Sequence, residues 1–312
     1  MSKFWNHRIL MLGMGIDAFK EYPNIDSWDI YHFCGKWDKR IFKLCEHFPI
    51  VSISHWYDEW NKKELRNYDT IIISDGIRNA EMIEYIKRKS PKSKIIIYYL
   101  NTYGENARND PKFFKGDNID IYTFDQQQAK NAGINFKNYF FSYEKECYDA
   151  QKNWNNNIEY DIFFVGRDKG RIEHIKDLRN KIKDMGLSAQ IKIVPDKHKK
   201  YKNDELEFMS ERIPYERIAE SIMHSKAILD ITEEGQSGIT LRPMESLFFK
   251  RKLVTNNVYI KNYDLYDEEN VFILGERDLS ELPDFLDKAY LASENLISNF
   301  TKDYWLKSFF IN

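Results

Sequence analysis

A chain of 312 residues with 42% hydrophobic and 15% aromatic residues has material for roughly two ordinary domains, each with its own core, which excludes a disordered chain. A formal net charge of −2 argues against a surface built for nonspecific nucleic-acid binding, so no nucleic-acid partner is expected. The three cysteines, Cys34, Cys45 and Cys147, are scattered, odd in number and without metal-ligand spacing, and read as thiols of a reducing compartment rather than a disulfide framework.

At the amino end the apolar run 9–12 is too short for the core of a secretory signal, and no run approaches the length of a bilayer span, so a cytoplasmic protein is expected. Residues 8–12, 50–53, 70–74, 94–100 and 119–124 are predicted strands. Between them, 79–89 carries Met82, Ile83 and Ile86 on one helical face, and 126–131 predicts a shorter helix. This alternation is the doubly wound parallel pattern. Gly13 and Gly15 follow the first strand in a loop that ends at Asp17, while Ser74, Asp75 and Gly76 end another strand; the strand-end rule for open sheets turns both places toward a ligand. Asp17 and Asp75 are therefore candidate catalytic bases, with caps or turn formers as the competing reading. An asparagine-rich passage over 144–157 then breaks the pattern, and the domain boundary is expected there, closing an amino-terminal Rossmann-like domain at 1–150.

The pattern restarts at Tyr160 with a strand at 161–165, a helix at 172–185, a strand at 190–194, a helix at 214–225 and a strand at 227–231. Gly235 and Gly238 then bend a loop before a helix that Thr240 can cap, with Pro243 tolerated in its first turn and Lys250, Arg251 and Lys252 at its carboxyl end. Amides of Gly238 and Ile239, with the hydroxyls of Ser237 and Thr240 and the neighbouring Gln236, suit a phosphate. A last strand at 270–274 and a helix at 279–291 complete a second Rossmann-like domain at 158–290, and 291–312 is a terminal segment. Gly166 permits a tight turn after its strand, and Arg167, Lys169 and Arg171 bring three cations to the edge where a diphosphate would lie; a solvated helix start is the plainer reading of these three. Glu245, roughly one and a half turns into the helix, is spaced to accept the hydroxyls of a ribose, or else is a surface glutamate paired with Arg242 or Lys250.

The segments FFVGRDKGR (163–171), IPYERIAESIMHSKAILDI and GQSGITLRPMESLFFKRKLVTNN together resemble the carboxyl-terminal domain of GT-B glycosyltransferases, especially bacterial ones that build capsule or lipopolysaccharide; 123–136 is similar more loosely. The resemblance implies an α/β fold of two Rossmann-like domains facing a cleft, a second domain that binds a nucleotide-sugar donor such as a UDP-sugar, a first domain that receives a glycan or lipid-linked acceptor, and a terminal helix that crosses back to the first domain. It also implies that Glu245 is the glutamate on the nucleotide ribose and Arg242 an aid to the phosphates, in a hexosyltransferase-like enzyme. Retaining members often carry two glutamates separated by seven residues, whereas here Ser237 stands eight before Glu245, which leaves the stereochemistry open. A nucleotide-sugar epimerase or hydrolase, and a noncatalytic GT-B-like subunit, are the alternative functions.

No Asp-x-Asp loop is present to hold a divalent ion, and Asp117 and Asp120 are spaced differently, so metal-independent transfer without a cofactor is expected. His32, His47, His55 and His224 lack paired spacing and read as surface or packing residues. The lysine-rich stretches 192–202 and 87–94, and the aromatic Tyr304, Trp305, Phe309 and Phe310, have two readings each: peripheral contact with the inner face of a membrane, or solvated loops and packing respectively.

Overall fold

In the computed structural model, which describes residues 3–46, 48, 51–77, 80–104, 108–196, 201, 207–208, 213–233, 236–291 and 294–310, the continuous apolar runs become buried parallel strands. The chain forms two units, Met1–Tyr139 with Trp305–Asn312, and Phe140–Tyr304. In the first, β1 (Ile9–Leu12), β2 (Ile25–Trp28), α1 (Lys36–Cys45), β3 (Thr70–Ser74), α2 (Ala80–Lys89), β4 (Lys94–Tyr99), β5 (Ile119–Thr123), α3 (Gln126–Ala132) and β6 (Asn135–Phe136) follow in chain order. The sheet is parallel throughout, in the order β2-β1-β3-β4-β5-β6. Ile71 stands opposite both Leu10 and Ile95, so the isoleucine-rich β3 lies between apolar neighbours, and Met82, Ile83 and Ile86 of α2 are buried. Central strands covered on both faces carry unbroken apolar sequence for this reason.

The strand expected at 50–53 does not form over its described residues 51–53. Ile53 is buried, but its amide takes the Glu81 carboxylate at 3.3 Å and the Ser54 amide takes the Ser52 hydroxyl at 3.3 Å, so side chains replace a ladder and the segment enters a 3-10 turn, Ser54–Trp56. Conversely β2 and α1 had no counterpart in the sequence reading. The edge strand β2 is half polar, with Asp26 accepting a hydrogen bond from the Tyr68 hydroxyl at 2.6 Å.

The second unit runs through α4 (Glu144–Asn153), β7 (Tyr160–Arg167), α5 (Ile172–Asp184), β8 (Ala189–Val194), β9 (Glu207–Phe208), α6 (Tyr215–Met223), β10 (Ser225–Asp230), α7 (Leu241–Phe249), β11 (Lys252–Thr255), β12 (Val271–Ile273), α8 (Leu282–Asp287) and α9 (Glu294–Ser298), with α10 (Lys302–Lys307) ending the chain's helices. Its strands are all parallel, in the order β12-β11-β10-β7-β8-β9. The asparagine-rich passage expected to divide the domains is instead α4, a member of this unit. Buried Cys147 faces inward and the Gln151 side chain donates to the Phe248 carbonyl at 2.8 Å, which docks α4 beside α7 and moves the division back to Tyr139. The long helix expected at 279–291 is a 3-10 turn followed by the short α8, which ends at Asp287.

Of the terminal aromatics, Trp305, Phe309 and Phe310 pack within the first unit. Trp305 is buried edge-on to Tyr98 at 5.1 Å and to Phe309 at 4.8 Å, and Phe310 meets Phe4 at 5.6 Å; only Tyr304 of this group stays exposed. Of the lysine stretches, Lys94 pairs with Asp120 at 2.7 Å, Lys192 lies in β8, and 197–200 with Lys202 fall outside the described residues, as does His47. Among the described residues no helix is long and apolar enough to cross a membrane. Truncation of a buried tryptophan costs about 3–5 kcal/mol, so Trp305→Ala is expected to lower the urea midpoint of the first unit sharply; an unchanged midpoint by near-ultraviolet circular dichroism would show that the terminal segment is not part of that core.

Candidate functional site

Counted from β7, the strands of the second sheet lie in the order 3-2-1-4-5-6, the arrangement whose direction reverses between its first and fourth members. The reversal falls between β7 and β10, and open α/β sheets bind ligands at the carboxyl ends of the strands flanking such a point. Both motifs singled out in the sequence lie there. After β7 the chain turns through Asp168, Lys169 (φ 47°) and Gly170 (φ 79°) into α5. Fully buried Asp168 accepts the Ile172 amide at 2.8 Å and the Tyr201 hydroxyl at 2.7 Å, satisfying the first turn of α5 and fixing the loop. The Arg171 guanidinium donates to the carbonyls of Asp168 at 3.2 Å and Arg167 at 2.6 Å, and to that of Ile231, just past β10. Lys169 forms an ion pair with Glu233 in the loop after β10. Two segments some sixty residues apart in sequence are thus joined at the sheet edge.

This geometry divides the predicted cations. Arg171 does not project toward a ligand: its donors are engaged on three backbone carbonyls, and burial pulls its proton affinity down while Glu233, Asp230 and Asp168 hold it charged. Lys169 is shared with Glu233. Arg167 is exposed, and its guanidinium has no partner among the described residues. Gly166, half-buried in β7, leaves room that a side chain would contest, since a Cβ there would sit 3.0 Å from the Phe164 ring.

On the β10 side, Thr240 caps α7 by accepting the Arg242 amide at 3.1 Å, and its hydroxyl donates to Asp230 at 2.9 Å. The other Asp230 oxygen accepts the Thr255 hydroxyl at 3.0 Å, so the strand-ending carboxylate anchors the helix start from below; burial raises its proton affinity and these two hydroxyls oppose the shift. Buried Ser237, Gly238 and Ile239 lead into the cap, with the Ser237 carbonyl accepting from Tyr263 at 3.4 Å. The Gln236 amide closes a turn on the Glu233 carbonyl at 3.2 Å, and Gly235 lies outside the described residues. The amides of Ile239 and Thr240 make no hydrogen bond with a described residue, and both lie at the amino-terminal, positive end of α7.

Glu245 is fully buried, and its two oxygens are taken by the Tyr215 hydroxyl at 2.9 Å and by the Arg242 guanidinium. Burial raises its proton affinity, and the Arg242 charge is the strongest opposing influence. Tyr215 in turn stacks on Tyr143 at 3.5 Å, nearly parallel. Arg242 therefore balances a buried carboxylate. The pairing with Arg242 follows the helical spacing; the burial depends on Tyr215 from another helix, which helical spacing alone does not reveal.

In the first unit the strand order reverses between β1 and β3. Gly13 (φ 74°) follows β1, and a Cβ on it would lie 2.5 Å from the Ser74 hydroxyl, so glycine is needed where the two strand ends converge. A cavity of about 290 Å³ opens here, lined by Gly13, Ser74 and Gly76, by Tyr31, Phe33 and Phe42, and by charged Asp29, Lys39, Lys43 and Glu46. Asp75 beside it accepts the Asn101 amide group at 3.1 Å, and burial pushes its carboxyl above the ordinary value. Asp17 differs: its side chain is 87% exposed and 3.6 Å from Lys20. The polar residues Asp168, Asp230 and Tyr215, which build the second site, were not singled out from the sequence; Asp230, a lone carboxylate closing an apolar strand, was the one with a readable signal. Among the described residues no group of three or more His, Cys, Asp or Glu is arranged to hold a metal.

No protein-family model and no curated protein sequence matches the chain. Solved structures are similar to it. The N-terminal domain of Candida albicans trehalose-6-phosphate phosphatase superposes with a TM-score of 0.55 at 12% identity, over 94% of this chain and 84% of that one. An alpha-glucosyltransferase in complex with UDP and a 13-mer DNA containing a central A:G mismatch superposes with a TM-score of 0.54 at 11% identity, over 97% of this chain and 94% of that one. At these identities the likeness establishes the fold: α/β, with two Rossmann-like units, as in GT-B proteins.

Removing the Glu245 carboxylate leaves a shielded guanidinium and a buried phenol without their acceptor, a class of change that costs about 3–5 kcal/mol. Glu245→Ala is accordingly expected to lower stability to that extent in urea titrations with no nucleotide present, and a variant as stable as the parent would return Glu245 to the ligand-facing reading.

Proposed function

We propose that this protein is a glycosyltransferase that moves a sugar from a nucleoside-diphosphate donor, a UDP-sugar first among them, to a hydroxyl of a bacterial surface glycan or lipid-linked acceptor. The observation that carries the reading is the meeting, at the reversal point of the second sheet, of the cationic turn after β7 with the amide-bearing loop before α7. It is supported by the likeness of the segments 163–171 and 236–257 to the donor domain of GT-B enzymes, and by a structural neighbour that is a UDP-bound glucosyltransferase.

The donor phosphates are assigned to Arg167, to Lys169, and to the backbone from Gln236 through Ser237, Gly238, Ile239 and Thr240, with Gly166 permitting close approach. As the bond from the anomeric carbon to the diphosphate oxygen breaks, the departing nucleoside diphosphate gains negative charge, which a guanidinium and oriented amides stabilise without reorganising. The acceptor oxygen forms the new bond and loses its proton. Asp75 is assigned as the base in the first unit, because its burial raises its affinity for a proton toward the range where a carboxylate accepts one efficiently, and the cavity beside it, with three aromatic rings and charges of both signs, suits a sugar. Arg171, Arg242 and Glu245 are assigned to holding the site together. No metal is required in this scheme.

A thermal-shift series with UDP, GDP, ADP, CMP and their sugars tests the donor site. At least one diphosphate is expected to raise the melting temperature, and Arg167→Ala to remove most of that rise while leaving the melting temperature of the free protein unchanged. Loss of the rise together with a lowered melting temperature would assign Arg167 to folding instead. Product analysis with a labelled donor then separates the chemistry: acceptor-dependent incorporation that survives chelation supports transfer, acceptor-free conversion of the donor supports an epimerase or hydrolase, and binding without turnover supports a noncatalytic subunit. Asp75→Asn is expected to lower kcat by a factor of about 10²–10⁴ with donor binding retained.

A further inference from the structure

α1 is a ten-residue helix with three distinct faces. One is seated on the core: Phe42 is buried, and Asp38 accepts the Trp56 indole N–H at 2.7 Å and the Cys34 amide at 2.9 Å. A second carries Trp37, Ile41 and Leu44, the i, i+4, i+7 spacing of a single stripe, and these side chains are 74%, 53% and 63% exposed. Phe48, four residues beyond Leu44, is exposed as well. The third carries Lys36, Arg40 and Lys43, the same spacing displaced by one residue, so a row of cations runs directly alongside the apolar row. The Arg40 guanidinium lies 4.8 Å over the Trp37 ring, linking the two rows. The helix's acid Asp38 is turned inward, and Glu46, just past its end, pairs with Arg108 at 3.2 Å, so neither exposed row contains a carboxylate.

We propose that α1 docks this protein on the surface of an anionic lipid bilayer, Trp37, Ile41 and Leu44 entering the headgroup–acyl boundary and Lys36 and Arg40 contacting lipid phosphates. Large apolar side chains held in water beside cations are the composition of a helix that lies in a membrane interface. Long basic side chains there reach headgroup phosphates while their stems and the neighbouring apolar row stay in the less polar layer. Charge selects the occupant. A second copy of the chain laid face to face would bring two cationic rows together, which is repulsive, whereas a negatively charged leaflet satisfies both rows at once. The inference stands on α1 alone and does not depend on the sugar-transfer reading.

The test is co-sedimentation of the full chain with vesicles of phosphatidylcholine alone and of phosphatidylcholine mixed with phosphatidylglycerol. Binding is expected to the mixed vesicles, weaker at raised ionic strength. The double substitution Ile41→Gln/Leu44→Gln is expected to reduce the partition coefficient about tenfold or more. Lys36→Glu/Arg40→Glu is expected to abolish the preference for anionic lipid. Both variants alter exposed positions, and an unchanged circular dichroism melt establishes that they fold. The proposal is overturned if the parent does not bind the mixed vesicles, if both variants bind as the parent does, or if light scattering finds a dimer that Ile41→Gln/Leu44→Gln dissolves while vesicle binding is absent.

Discussion

The guanidinium of Arg171 is the fixture on which the second unit's site depends. At the reversal point of a parallel sheet the two flanking strands send their following segments to opposite faces, so nothing in the sheet's own ladder joins the loops beyond them. Arg171 does so by donating to carbonyls after both β7 and β10. Hydrogen bonds from a charged group contribute about 1.5–3 kcal/mol each, more than neutral ones, and a planar fork satisfies several carbonyls at fixed angles in a way that a lysine would not. The charge survives burial because Glu233, Asp230 and Asp168 surround it.

Two carboxylates, Asp230 below the start of α7 and Glu245 midway along it, are buried and each is influenced by Arg242. Arg167 is the cation at this edge without a partner among the described residues.

The legible parts of the fold were those where burial on both faces leaves one residue class: Ile71, Ile72 and Ile73, or Ala227, Ile228 and Leu229, admit little besides a central parallel strand. Edge elements were not legible, because β2 is half solvated and β9 is two residues long. α1 was missed for a different reason: its apolar residues point outward, so the periodicity that marks a core-facing helix gives two competing stripes. At the site, local chemistry was legible and tertiary chemistry was not. Thr240 as a cap follows from its position before an apolar helix, and the Arg242–Glu245 pair from a separation of three. The fate of Glu245 turned on Tyr215 and Tyr143, thirty and more residues away in sequence. A helical register gives the distance of a side chain from the helix start; it does not say what packs over that face.

The same distinction separates the two aspartates of the first unit. Asp17 and Asp75 both follow strands through glycine-bearing turns, and by sequence they were equivalent. Asp17 enters a short 3-10 turn that leaves it exposed beside Lys20. Asp75 directly follows β3 at the reversal point, where the end of β3 comes close enough to β1 that Gly13 has no space for a Cβ. Burial is the leading cause of its raised proton affinity, opposed by hydrogen bonds from Asn101 and from the backbone. The two aspartates, of identical chemistry, thus differ in exposure through their place at the sheet edge, which no local window of sequence contains.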